Sequence, residues 1–201
     1  MSISTEQQLK MRAKRERILD EAIRLFSEQG YNDTTISKVA KEAGISFGSV
    51  FTYFATKEEL FYSAITEPLE KFSVELLDFN PKADHPLEEL NSMIQKHIKQ
   101  FSSYSLFLRL VVQVIGQHKR FEEPFRELNL FHIRFREKIA ELVENGQQKG
   151  VLLKLDPFFV TTSYTSFLMG LRLNLADDPD HEMWWAEYAP FALQLFGPNR
   201  N

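Results

Sequence analysis

The sequence predicts an all-α protein on three observations. Apolar residues recur at three- and four-residue intervals over most of the chain, recognisable caps and stops punctuate them, and no stretch shows sustained strand alternation between hairpin turns. About nine helices follow from these boundaries. The 201 residues, 43% hydrophobic and 26% charged, suffice to bury a sizeable core in one globular unit or two small domains. The longest apolar run, near Leu106 to Ile115, is broken by Arg109 and Gln113 and falls well short of the ~20 residues of a membrane span. The N-terminus is polar and lacks the apolar core of a signal peptide, so a cytoplasmic protein with no membrane partner is expected. With no cysteine, disulfides, thiol catalysis and cysteine zinc sites are excluded.

In order along the chain, Ile18, Leu19, Ala22, Ile23, Leu25 and Phe26 keep a helical period, and Gly30 is expected to end this helix in a left-handed conformation. A second helix runs from about Thr35 to Ala43 and a third from about Ser46 to Tyr53. Between them, Ala40 lets two short helices approach, Gly44 supplies a corner with positive φ, and Ile45 plugs the gap, which is the pattern of a helix-turn-helix. Thr56 with Glu59 makes a capping box for a fourth helix, which carries Leu60, Phe61 and Ile65 inward. Pro68 is expected to kink or interrupt it, and Pro81 and Pro86 to close the connection beyond. Further helices are expected at about Pro86 to Ser102, Tyr104 to Gln117, Glu123 to Gln148, Pro157 to Leu175 and Asp180 to Phe196. Pro124 and Pro157 suit first turns, Asp156 and Asp180 suit N-caps, and Gly150 and Gly197-Pro198 are stops.

The net charge of −4 is unevenly distributed. Residues 1–57 hold nine Lys and Arg against seven acids, a net of +2, so the remaining fifteen cations and twenty-one acids leave −6 elsewhere. Five cations, Lys10, Arg12, Lys14, Arg15 and Arg17, lie directly before the helix-turn-helix. The basic character therefore sits on the N-terminal module, while the larger remainder is acidic and would avoid phosphate.

The stretch from Ile18 to Phe61 resembles the DNA-binding domain of the TetR family of bacterial transcriptional regulators. The residues that carry the resemblance are Phe26, Gly30 and Tyr31; Thr34, Thr35 and Ile36; Val39, Ala40, Ala43, Gly44, Ile45 and Ser46; Gly48, Ser49, Val50, Phe51, Tyr53 and Phe54; and Thr56 to Leu60. It implies an N-terminal three-helix helix-turn-helix DNA-binding domain, residues 1–66, followed by a helical ligand-binding and dimerisation domain, residues 67–201. The implied function is a dimeric, sequence-specific transcriptional regulator, most often a repressor released by a small molecule.

At the head of helix two, Thr34 and Thr35 combine hydroxyls with unpaired backbone N–H groups and are expected to hold a phosphate of double-stranded DNA. The resemblance gives Lys57 a phosphate contact as well. In helix three the candidates for base readout are Ser46, Phe47, Gly48, Ser49, Thr52 and Tyr53, with Val50 and Phe54 turned to the core. Phe47 and Phe51 depart from the family pattern, in which a lysine, arginine or proline and a tyrosine are common. Phe51 is expected to pack, with Tyr53 offering the phosphate hydroxyl, and Phe47 to make apolar contact with a thymine methyl group. One such module covers few base pairs, so a homodimer on a palindromic operator is expected.

The resemblance places dimer contacts on the last two helices, here Phe158, Thr162, Thr165 and Leu171 with Trp184, Tyr188, Phe191 and Leu195. It also implies a small-molecule effector in the larger domain. Phe101, Phe107, Phe125 and Phe167, with Gln113, His132 and Tyr164 as polar groups, are candidates to line an apolar-ligand site. Coupling would be mechanical, through helices joined to helix four.

No cofactor and no catalytic residue is expected, since the chain lacks His-Glu-x-x-His, a Glu-x-x-His pair and a phosphate-cradling glycine loop. The acidic cluster Asp177, Asp178, Asp180, His181 and Glu182 reads as a helix start and not as a metal site. The competing reading keeps the helix-turn-helix but gives the larger domain a protein partner or a role in organising DNA, with no small-molecule ligand.

Overall fold

The computed structural model describes residues 5–174 and 185–199. Among the described residues there are nine α-helices, no β-sheet and one isolated bridge between Leu152 and Pro198. The helices are α1 (Thr5–Asp33), α2 (Ile36–Glu42), α3 (Phe47–Val50), α4 (Lys57–Leu76), α5 (Pro86–Ser103), α6 (Ser105–Gly116), α7 (Glu122–Gln148), α8 (Pro157–Asn174) and α9 (Ala189–Gln194), with a 3-10 turn at Ala186–Tyr188. No helix among them is long and apolar enough to cross a membrane.

The chain divides into two compact units, Met1–Leu69 with Leu106–Glu127, and Glu70–Ser105 with Leu128–Asn201. The first break falls inside α4, close to the expected boundary after residue 66, but residues 106–127 fold with the first unit and not with the second. This difference comes from pairings that no local pattern encodes. The Gln113 side chain donates to the Phe26 carbonyl at 3.0 Å, and Phe121 packs its ring on Phe61 and Tyr31 at 4.7 and 5.4 Å. Phe26 joins the same cluster, 5.0 Å from Phe61.

Two local features of the helices stand out, one of them against the expectation of a break at Pro68. The basic arm, Lys10 to Arg17, lies in the first turns of α1, where Lys10 pairs with Glu6 and Arg12 with Glu16 at helical spacing. Pro68 does not interrupt α4, which runs unbroken from Lys57 to Leu76. The missing N–H costs one intrahelical bond, and burial of Ala64, Ile65, Leu69 and Phe72 on either side holds the helix through it.

In the second unit, α5 buries Leu90, Met93, Ile94, Ile98 and Phe101 along one stripe, and His97 sits in that stripe, 1% exposed. Its Nε2 lies 2.8 Å from the Leu76 carbonyl, and its Nδ1 lies 3.0 Å from the buried Tyr164 hydroxyl. Since a carbonyl only accepts, Nε2 carries the proton and Nδ1 accepts from Tyr164. A neutral imidazole thereby ties the end of α4 to α8. Burial pushes the His97 pKa down to about 4 from the usual 6.5.

The folded state thus resists protonation that the unfolded chain accepts near pH 6.5, so stability from this group is complete above that pH and falls as pH drops toward 4. Urea unfolding is expected to lose about 2 kcal/mol from this source between about pH 7.5 and about pH 5. In His97→Gln, that part of the pH slope is expected to vanish.

Candidate nucleic-acid interface

Local capping chemistry places the first functional side chains. Thr35 is the N-cap of α2, and its Oγ1 accepts from the Lys38 N–H at 3.2 Å. Thr34 behaves differently. It is fully buried, and its hydroxyl donates to the Gly30 carbonyl at 2.9 Å. Gly30, at φ 80 and ψ 169, breaks the helical geometry of α1 in a region only glycine enters readily, and its carbonyl needs a donor that Thr34 supplies. Of the two threonines expected to share a phosphate, only Thr35 presents its side chain at the surface.

The turn into α3 follows the sequence closely. Gly44 has φ +66, its N–H bonds the Lys41 carbonyl at 3.1 Å, and the Ile45 N–H bonds the Ala40 carbonyl at 3.0 Å. Ser46 caps α3 by accepting from the Ser49 N–H, and the two hydroxyls share a 2.6 Å hydrogen bond. Thr52 and Tyr53 lie beyond the α-helical residues, in turns bonded back to Ser49 and Val50. Val50 and Phe54 are 0% and 1% exposed, so the inner face packs as the sequence indicates.

The outer face differs at Phe51. Instead of packing, it is 44% exposed and meets Phe47, 55% exposed, edge to face at 5.2 Å. With Val50 filling the inner face, the next residue turns outward by about 100° and lands one helical turn from Phe47. Between them, a Cβ placed on Gly48 would meet nothing within 4 Å. The glycine therefore serves no internal packing.

Beside α3 lies a shallow depression of about 370 Å³ lined by Lys14, Arg17, Gly44, Ile45, Ser46, Ser49, Thr52 and Tyr53. It brings together four of the expected readout residues and two arm cations. The arm's charges are not equivalent. Lys10 and Arg12 pair with glutamates of α1, while Arg15 makes a two-pronged bond to Glu67 at 2.6 and 2.9 Å and lies 4.8 Å over the Phe54 ring. Arg24 is held by Glu21, Glu28 and Glu42. Lys14, Arg17 and Lys41 are exposed and make no ion pair among the described residues.

Lys57 opens α4 with its ammonium 4.3 Å from the Tyr31 ring and 3.4 Å from the Asn32 carbonyl. Burial lowers its pKa. Tyr31 donates to Glu58 at 2.6 Å, and burial together with that bond pushes the phenol up to about 12. Arg120 completes the group, 4.9 Å from the same ring and donating to Asn32 Oδ1 at 2.6 Å.

The residues expected to line a ligand site are divided between the two units. Phe107, Gln113 and Phe125 belong to the first unit, and Phe101, His132, Tyr164 and Phe167 to the second. Gln113 and Tyr164 are already satisfied by Phe26 and His97, and His132 is exposed. A groove of about 680 Å³ within the second unit is lined by α5 residues including Asn91, Gln95 and Ile98 and by Trp185, Glu187 and Pro190. Sequence reading passed over His97, although its place in the apolar stripe of α5 was available as a signal.

The residues expected at a dimer contact divide similarly. Phe158 and Phe191 are 55% and 66% exposed, Thr162, Tyr188 and Leu195 are half-buried, and Thr165 and Leu171 are buried within the protomer. Trp184, like the cluster Asp177 to Glu182, lies outside the described residues. α8 nevertheless carries a second stripe, with Phe159 and Leu173 67% and 59% exposed, opposite the face that buries Val160, Tyr164 and Leu168. No group of three or more metal-ligating side chains occurs among the described residues.

A capped α2, a left-handed glycine corner and an α3 whose outer face stands clear of its own core define a helix-turn-helix protein of the DNA-binding class. Comparison with known proteins makes this specific. The model of bacterial regulatory proteins of the tetR family matches residues 18–64. The transcriptional regulator AcrR of Shigella flexneri is 32% identical over 192 residues, 90% of this chain and 88% of the relative. The chain belongs to the TetR family of transcriptional regulators. A fatty acid metabolism regulator protein of Bacillus subtilis is 29% identical over 145 residues, 72% of this chain. That protein and three other relatives are matched over only 26–66% of their own length. The fold is shared with the fatty acid degradation regulator FadR from Bacillus halodurans, at TM-score 0.71 and 23% identity over 94% of this chain and 97% of that one. The ketosteroid regulator KstR2 of Mycobacterium tuberculosis gives TM-score 0.73 at 21% identity, covering 90% of this chain and 93% of that one.

The two glycines of the turn and α3 should respond oppositely to alanine. Gly44→Ala, at φ +66, is expected to cost about 1–2 kcal/mol in chemical unfolding. Gly48→Ala, opening into empty space, is expected to leave stability unchanged or raise it by up to about 1 kcal/mol.

Proposed function

We propose that the protein is a cytoplasmic homodimeric repressor that binds a palindromic operator through α2 and α3 and leaves it when a small, largely apolar ligand binds the second unit. The observation that carries the DNA contact is the reading face itself. Ser46, Phe47, Gly48 and Thr52 are exposed and Ser49 half-buried along α3 and its ends, with Thr35 capping α2 and the cations Lys14, Arg17 and Lys41, which make no ion pair among the described residues, available to phosphates. Lys57 and Tyr53 complete the set of phosphate ligands in this reading. Dimerisation is supported by the second apolar stripe of α8 and by exposed Phe191, surfaces that a monomer would leave in water. The names of several relatives concern fatty acids or a ketosteroid, which supports an apolar effector and makes acyl compounds the first class to try.

Selection of bound DNA from a random library tests this reading. A short palindrome supports it. Binding spread over many unrelated sequences would favour a DNA-organising role instead. On the selected operator, Lys14→Ala, Arg17→Ala and Lys41→Ala are each expected to flatten the dependence of log affinity on log salt by about two per dimer, while Arg12→Ala leaves it unchanged. Gly48→Ala, its fold intact, is expected to bind at least about tenfold more weakly, because the added methyl meets the groove floor. The double variant Phe159→Glu/Leu173→Glu is expected to sediment as a monomer and lose operator binding.

A further inference from the structure

We infer that Phe47 and Phe51 form an apolar reading head that selects thymine by its 5-methyl group; this rests on the proposed placement of α3 in the major groove. The run from Ser46 to Tyr53 contains no Arg, Lys, Asn, Gln, Asp, Glu or His, so every side chain that makes a two-pronged hydrogen bond to a base edge is absent from it. What the outer face does present is two phenylalanine rings, 55% and 44% exposed and in edge-to-face contact at 5.2 Å.

These are the only exposed phenylalanines among the described residues of the first unit, whose other rings are buried or half-buried. Exposing about half of each ring is unfavourable in water, and the only ring contact that either makes among the described residues is with the other. The two rings also pack edge to face on each other, the arrangement that aromatic pairs favour.

Gly48, next to Phe47 on α3 and with open space where a side chain would be, leaves the helix backbone uncovered beside the rings for close approach to a base edge. The surroundings suit DNA in place of an apolar partner. The same α3 borders the depression carrying Lys14 and Arg17, and Lys41 lies unpaired on α2. In the major groove the one apolar group on a base edge is the thymine methyl, and phenylalanine is among the residues that contact it. The hydroxyl pair Ser46–Ser49, in which either atom can donate, and Thr52 supply hydrogen bonds beside it that tolerate several bases. The specificity of this regulator is therefore carried more by methyl contacts than by hydrogen bonds.

The test uses the full-length protein and its selected operator, with thymines replaced one at a time by uracil. Uracil removes the methyl and keeps the pairing and the O4 acceptor. Wild type is expected to select at least one thymine in each half-site and to bind about fourfold more weakly for each critical methyl removed. Phe47→Ala and Phe51→Ala, whose thermal midpoints should match wild type because both rings are exposed, are expected to bind more weakly and to lose some or all of the discrimination between thymine and uracil. Equal wild-type affinity for thymine and uracil operators, with a palindrome still selected, overturns the inference and leaves the regulator reading standing. Undiminished thymine preference in both alanine variants also overturns it, since another group would then read the methyl. Failure to select any motif removes the operator reading itself, and this inference with it.

Discussion

The rings of Phe26, Tyr31, Phe61 and Phe121 meet at centroid distances of 4.7–5.9 Å, and the geometry of the first unit depends on this contact. It joins the end of α1, the first turns of α4 and the approach to α7, three segments far apart in sequence. α2 and α3 are suspended between α1 and α4, so the position of α3 is inherited from these rings. The cations of Lys57 and Arg120 both stand on Tyr31, and Glu58 accepts its hydroxyl, so charge and aromatic packing meet at one residue. A change in the α6–α7 connection at Arg120 therefore reaches Tyr31 and Asn32 directly, and through Tyr31 the residue that opens α4.

The second unit is organised by a different constraint, the need to satisfy polar atoms inside an apolar stripe. His97 bridges the Leu76 carbonyl and the Tyr164 hydroxyl with the two nitrogens of one neutral ring. Close to the other end, a Cβ on Gly146 would come within 2.6 Å of Leu152, so α7 and the segment after it approach as near as a hydrogen allows. The bonds of Leu153 to Gly197 and of Asn199 to Val151 then clip the chain beyond α9 to that same segment.

What was legible in the sequence was what short-range chemistry fixes. Thr35, Gly44, Ser46 and the Thr56–Glu59 box do what capping and turn rules require, although Glu59 reaches the Ala55 N–H and not that of Thr56. The illegible features all depend on partners distant in sequence or on a break in helical geometry. Thr34 turns inward because Gly30 frees a carbonyl. Gln113 and Tyr164 are occupied by Phe26 and His97, which no spacing rule connects to them. Residues 106–127 join the first unit through Phe121 and Gln113, whereas helical periodicity alone describes them as the next helix of the second domain. Phe51 stands outward, against the packing expected from the resemblance, because Val50 and Phe54 take the inner positions.

In α3 the work of folding and the work of facing outward fall on different residues. Val50 and Phe54 carry the packing, Ser46 the cap and Gly44 the corner, while positions 47, 48, 51 and 52 contribute little to the core. Substitutions at those four positions are nearly silent for stability, so the marginal free energy of the fold places few limits on them. Such a helix can drift through sequence space, acquiring new preferences one residue at a time without passing through an unfolded ancestor. Descendants of this protein could therefore change their target genes while keeping every contact that lets them fold.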